Sequence, residues 1–298
     1  VFVPRRTRRT PDSDLHLECD MDIDAFDERN PGNVYLRLFA ELGKQDIMRF
    51  AGDMPQQFVK RYPNRPLSVK LSLNGNMRKA RVSGLDVSLP TAFKLFAEGY
   101  AIEPMDIGRM KAELKMRATT YDLGFATALA SLPAGVRIPS NITMNASIKA
   151  DRQLYSAEMR IKEGKGLVTA KGKYNHRMAA YTADAKVNGL NIKHFMPRDS
   201  IGTLTCSMSV DGVGFNPLKS NTKMSAEARL DALTYGRIKL DNTFLTAEIN
   251  DGRGKVMLDS NNEILDGTVS VDALLSRTRV NATLTTDLRW ADFPAMRL

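Results

Sequence analysis

The stretch Leu-Ser-Val-Lys-Leu-Ser-Leu-Asn-Gly at 67–75 alternates apolar and polar residues without a break. Successive side chains of a β-strand point to opposite sides, so this pattern builds a strand with one apolar and one polar face. An apolar face has to be covered by something, and that requirement constrains the fold more than any other feature of the chain.

The pattern recurs along most of the sequence. Val69, Leu71 and Leu73 are followed by Val87 and Leu89, by Leu114 and Met116, and by Ile142, Met144 and Ile148. Further sets are Met159 and Ile161, Val168, then Leu204, Met208 and Val210, then Met224 and Leu230, Val256 and Leu258, and Val269 and Val271. The apolar positions change parity from Ala80 and Val82 to Leu85, Val87 and Leu89 across Gly84, which predicts a β-bulge. Turn signals at Asn74-Gly75, Asp211-Gly212, Asn250-Asp251-Gly252 and Asp266-Gly267 separate the sets. A mainly β protein built as a meander of short strands is expected.

One segment departs from period two. Ile47, Ala51, Met54, Phe58 and Tyr62 are spaced by three or four, the stripe of an amphipathic helix. Gly52 and Pro55 divide it into two helical pieces, with Asp53 placed to cap the second and Pro55 in its first turn. The expected role of this insert is to cover part of the apolar face. The chain thus divides into a basic N-terminal loop with the first strands (1–43), a helical insert (44–63) and a β-repeat region (64–298). Arg5, Arg6, Arg8 and Arg9 lie among Pro and Thr residues and read as a flexible basic connection.

Composition bounds the function. With 43% hydrophobic and 26% charged residues in 298, the chain is too apolar for disorder. The net charge of +9 comes largely from residues such as Lys111, Lys115, Lys171 and Lys173, which alternate with apolar ones on strands. They read as a solvated polar face, and no nucleic-acid partner is expected. His16, His176 and His194 have no metal-ligand spacing, and Cys19 and Cys206 form no framework. Asp20-Met21-Asp22-Ile23-Asp24 opens like a calcium loop but has Ala25 at position six and Pro31 at position twelve. No nucleophile elbow, phosphate loop or dinucleotide motif occurs, so no enzyme, cofactor or metal is expected. A chain that starts at Val1, without a spanning segment or signal peptide, reads as a soluble segment of a longer protein.

Aromatic residues make up 7% of the chain, which argues against two faces closed on each other as a sandwich. A long curved sheet folded lengthwise around a trough fits better, and roughly 15 strands at ~4.8 Å would extend ~70 Å. Phe50, Phe125, Phe195 and Phe293 each follow an Asp or Asn and stand near a proline, marking units of unequal length.

These corners, with the passages His194-Phe195-Met196-Pro197-Arg198-Asp199-Ser200-Ile201-Gly202 and Arg237-Ile238-Lys239-Leu240-Asp241-Asn242, resemble the AsmA-like repeats of the TamB family, in the form found in Bacteroidetes. The resemblance runs from about Leu15 onward and rests on diffuse pattern. It implies a U-shaped β-taco sheet whose hydrophobic groove carries phospholipid acyl chains through the periplasm for outer-membrane biogenesis. It further implies a full-length Gram-negative envelope protein anchored in the inner membrane, with an outer-membrane barrel as partner. The apolar sets from Val69 to Val271 would then line the groove. Two alternatives remain at this point: an assembly factor that pairs its sheet edge with strands of outer-membrane proteins, and a structural β-solenoid.

Overall fold

In the computed structural model, residues 5–27, 29–50, 52, 54–129, 135–236, 238–275 and 280–292 are described. The chain is mainly β, with a short helical insert, and the strands group into two compact units. The first holds residues 1–153 and 161–164, the second 154–160 and 165–298. The region 64–298, read from sequence as one run of repeats, is therefore divided.

In the first unit β1 (Arg5–Arg9), β2 (Asp14–Met21) and β3 (Val34–Leu42) precede the helices α1 (Lys44–Phe50) and α2 (Gln56–Arg61). Then come β4 (Leu67–Gly75), β5 (Lys79–Leu89), β6 (Phe93–Ile102), β7 (Lys111–Thr120) and β8 (Ile142–Asp151). Each strand pairs antiparallel with the next, apart from the two helices between β3 and β4. The predicted bulge is present: the register shifts between Ser72 and Leu73 and again between Val82 and Leu85, so Gly84 absorbs the change of parity.

The segment 5–9 is not a flexible connection. It forms β1, whose register sets Arg5 opposite Glu18 and Arg9 opposite Asp14. Arg9 and Asp14 are opposite charges across this antiparallel pair, which favours pairing, a term that reading the arginines as an isolated cluster misses.

The strand β9 (Leu154–Glu163) has residues in both units. The second unit continues with β10 (Gly166–Asn175), β11 (Ala180–Asn191), β12 (Ile201–Val213), β13 (Lys223–Tyr235), β14 (Ile238–Leu240), β15 (Thr243–Asn250), β16 (Arg253–Asn261), β17 (Leu265–Leu275) and β18 (Val280–Ala291). It too is an antiparallel meander, in which β13 pairs with both β14 and β15. Asn250-Asp251-Gly252 turns the chain as expected. Asp211-Gly212 does not: both residues lie inside β12, opposite Ser225 and Met224. Asp266-Gly267 is a bulge within β17, where Gly267 takes a φ of 152°. A Cβ there would meet the Asp287 carbonyl at 2.3 Å, so glycine is required by close approach and not by a turn.

Few large side chains are fully enclosed. Among the described residues the buried hydrophobic ones are Ala25, Ala40, Phe58, Tyr62, Leu89, Ala92, Ala97, Phe125 and Ile264. The cluster of Phe58, Tyr62, Leu89, Ala92 and Phe125 sits where the helices meet one end of the first unit's sheet. Ile47, Met48, Met54, Val59, Leu67 and Phe93 pack around it, so the insert does cover the apolar face locally. Pro55 caps α2 without a side-chain hydrogen bond, and Asp53 falls outside the described residues.

Candidate apolar binding face

Strand register converts the alternating pattern into continuous rows. In the first unit Leu38, Leu71, Leu85, Ala97, Met116 and Ala146 lie opposite one another across β3 to β8. A parallel row joins Ala40, Val69, Val87, Leu95, Ala118 and Met144, and another joins Leu36, Leu73, Val82, Gly99, Leu114 and Ile148. The row nearest the far turns is built from small residues: Gly75, Ala80, Ala101, Ala112 and Ala150. Ile142 follows the same parity at the start of β8.

Of the expected lining residues, Leu89 is the exception. It shares this face but is 1% exposed beneath the helices, so it forms the floor of the insert's cluster and not open surface.

The second unit repeats the arrangement. Val168, Val187, Cys206 and Leu230 align, as do Ala185, Met208, Ala228, Leu245, Leu258 and Val269. Val210 lies opposite Ala183 and Ala226, Met224 opposite Gly212 and Ile249, Val256 opposite Ala247 and Val271, and Leu204 opposite Leu190 and Leu233. Met159 and Ile161 alternate along β9, the first exposed and the second half-buried.

Two properties of these rows matter chemically. They contain no Asp, Glu, Lys or Arg from β3 to β8 or from β10 to β17, and although Ala40 and Ala97 are buried, large side chains in them are partly exposed. Met208 is 49% exposed, Ile148 42% and Val256 40%, whereas residues between two stacked sheets would be enclosed. The other sides of the same strands carry the charges. Lys115 and Lys149 bracket Glu113 at 3.5 and 3.6 Å, and Lys171 reaches Asp184 at 3.5 Å. Aromatic rings on that polar side of the first unit stand under cations: Arg37 over Tyr35, Lys70 over Phe39 and Arg117 over Phe96.

Sequence reasoning missed part of the face. Leu36 and Leu38 of β3 follow period two and were legible. Leu95, Ala97 and Leu245 were harder, because Phe96 and Phe244 place an apolar residue on both sides of β6 and β15 and blur the alternation.

The corner phenylalanines do not play equivalent parts. Phe125 is buried and Phe50 is 90% exposed at the end of α1. Phe195 is half-buried after the 3-10 turn Ile192–His194, and Phe293 lies outside the described residues.

The insert is tied down at both helices. Asp46 accepts hydrogen bonds from Thr10 Oγ1 at 2.5 Å and Ser13 Oγ at 2.6 Å, and these hold its carboxyl below the usual carboxylate range. Lys44 Nζ donates to the Tyr62 carbonyl at 2.8 Å. Burial raises the Tyr62 phenol and, in the second unit, the Cys206 thiol.

Among the described residues no group of three or more His, Cys, Asp or Glu is placed to hold a metal ion, and no helix is long and apolar enough to cross a membrane. No family model matches the chain, and no curated protein or solved structure matches it significantly.

Proposed function

We propose that this chain is a periplasmic segment of a bridging protein of the AsmA-like, TamB kind, and that it holds lipid acyl chains against the apolar faces of its β-meander. The observation that carries this reading is the pairing of two properties on the same rows: no charged side chain, and partial exposure of large residues such as Met208, Ile148 and Val256. Each methylene of an acyl chain taken from water onto such a surface gains about 0.8 kcal/mol. Uncharged, flexible residues such as Met116, Met144 and Met208 suit a ligand without directional bonds.

Length is also compatible. The six strands β3 to β8 span about 24 Å across the sheet at ~4.8 Å spacing. That exceeds one leaflet, half of a hydrocarbon core of about 30 Å. An extended acyl chain can therefore lie across the strands of a single unit, with its polar headgroup left in water. In the full-length protein the inner membrane would supply the lipid, and an outer-membrane barrel partner would mark the destination.

The test is native mass spectrometry with lipid extraction on the purified chain, combined with photo-crosslinkers at Leu71, Met144 and Leu258. Co-purified phospholipid crosslinked at all three positions is the expected result. Lipid-free protein, unreactive at the three positions, would sink the proposal and return the sheet-edge assembly role to the front.

A further inference from the structure

We propose that the turn-bearing end of the first unit farthest from its helices inserts into the interfacial layer of a zwitterionic phospholipid bilayer. This surface is separate from the sheet face, and the inference stands whether or not that face carries lipid.

The turns concerned are β2–β3, β4–β5 and β6–β7. Ile23 is 94% exposed, Phe26 75%, Met105 82%, Ile107 57% and Met77 40%. Isolated exposed apolar residues are ordinary on a surface, but five on adjoining turns are not.

The turns are also stiff, so the display is not a by-product of slack chain. Asp27 Oδ1 accepts from the amides of Arg29 at 2.7 Å and Asn30 at 3.1 Å, and Asp22 Oδ2 accepts from Asn33 N at 2.9 Å. Asp106 accepts from Gly108 N at 2.9 Å and from Arg109 Nε at 2.7 Å, while Asn76 Oδ1 accepts from the amides of Arg78 and Lys79. The turns are joined edge to edge: Arg78 Nη2 donates to the Arg29 carbonyl at 2.6 Å, and Glu103 N donates to the Arg78 carbonyl at 2.6 Å. Asp22, Asp27, Asn76 and Asp106 are thus occupied in holding the backbone, while Ala25 is buried and the five larger apolar side chains are exposed.

That orientation is not imposed by the turn chemistry. At the opposite end of the same unit Asp122 Oδ1 accepts from Gly124 N at 2.8 Å in a turn of the same kind, yet Phe125 is 7% exposed and Leu123 packs on the core cluster. The second unit, taken alone, shows both forms: Asn175 Oδ1 accepts from Met178 N beside a 62% exposed Met178, whereas in the turn where Asn216 Oδ1 accepts from Leu218 N the ring of Phe215 stacks on Tyr181 at 4.8 Å.

The spacing of the side chains identifies the occupant. A folded protein partner needs a continuous complementary patch, whereas these residues are separate projections with charged residues between them. A fluid bilayer closes around each projection independently, with apolar tips below the headgroups and arginines at phosphate level. Arg29, Arg78 and Arg109 stand one to three positions from Phe26, Met77 and Ile107. Asp22, Asp24, Asp27, Glu103 and Asp106 in the same turns outnumber those arginines, so attachment depends on insertion and not on anionic lipid.

The experiment is co-sedimentation of the whole chain with phosphatidylcholine vesicles at low and high salt. The comparison is the triple variant Ile23→Ser, Phe26→Ser, Met105→Ser. These side chains are exposed, so circular dichroism and Tm should match the parent protein. The expected result is salt-insensitive pelleting of the parent and a loss of more than about tenfold in partitioning for the variant. Equal binding by the variant overturns the proposal. So does a parent protein that stays in the supernatant, or one that binds only anionic vesicles and is released by salt. Crosslinking at Leu71, Met144 and Leu258 reads the sheet face separately, so the two proposals fail independently.

Discussion

The ring of Tyr62 meets the ring of Phe125 edge-on, at 5.3 Å between centroids and 79° between planes. Phe58 completes the group at 5.6 Å from each. Two segments far apart in sequence, α2 with its C-cap and the loop at Phe125, thus close one end of the first unit. Phe125→Ala should cost about 3–5 kcal/mol through lost burial and an unfilled cavity. Chemical denaturation followed by circular dichroism checks this. A change below about 1 kcal/mol would mean that the aromatic group is not what holds the insert down.

Asp46 sets an acid limit on the same insert. Its folded pKa is depressed by the Ser13 and Thr10 hydroxyls, so the stabilisation it supplies is fully present above the ordinary carboxylate pKa of about 3.9 and is lost as pH falls through the folded value. Asp46→Asn should lower Tm by a few degrees at pH 7, and the difference from the parent protein should shrink below pH 4. A pH-independent difference would assign the loss to packing and not to charge.

A carboxylate on the open face should abolish lipid retention without unfolding the protein. Met208 is half exposed, so Met208→Asp keeps its new charge hydrated in the empty protein and strands it against an acyl chain in the loaded one. Co-purified lipid is expected to fall by more than about tenfold with an unchanged circular dichroism spectrum. Undiminished lipid would remove the second unit's face from the binding surface.

Cys206 reports on the same row. Burial, followed by the nearby Asp231 charge, raises its thiol pKa, so less thiolate is present at pH 8 than in a free cysteine. Alkylation should be slow at that pH, rise steeply above it, and slow further when lipid is bound, because Cys206 lies opposite Val187 and Leu230 in the apolar row. Lipid-independent alkylation would place the ligand elsewhere.

The sequence alone determined which residues share a face. Period two is a covalent property of an extended chain, so Val69, Leu71 and Leu73 lie on one side whatever surrounds them, and the parity change at Gly84 had to appear as a bulge. It also determined that 44–62 would hold two helical pieces, found at Lys44–Phe50 and Gln56–Arg61, since a stripe at three- and four-residue spacing has no use in a strand.

What it left open were choices set by contacts between distant segments. Asp211-Gly212 reads locally as a turn but is held straight by ladder bonds to β13, and Arg5–Arg9 becomes a strand through a register facing Glu18 and Asp14. Similar Asp-centred turns bury Phe125 at one end of the first unit and display Met105 and Ile107 at the other. Only tertiary structure decided that Leu89 lies under the helices while Met116 remains on open sheet. Burial depends on what else arrives at a surface, and alternation along one strand carries no record of that.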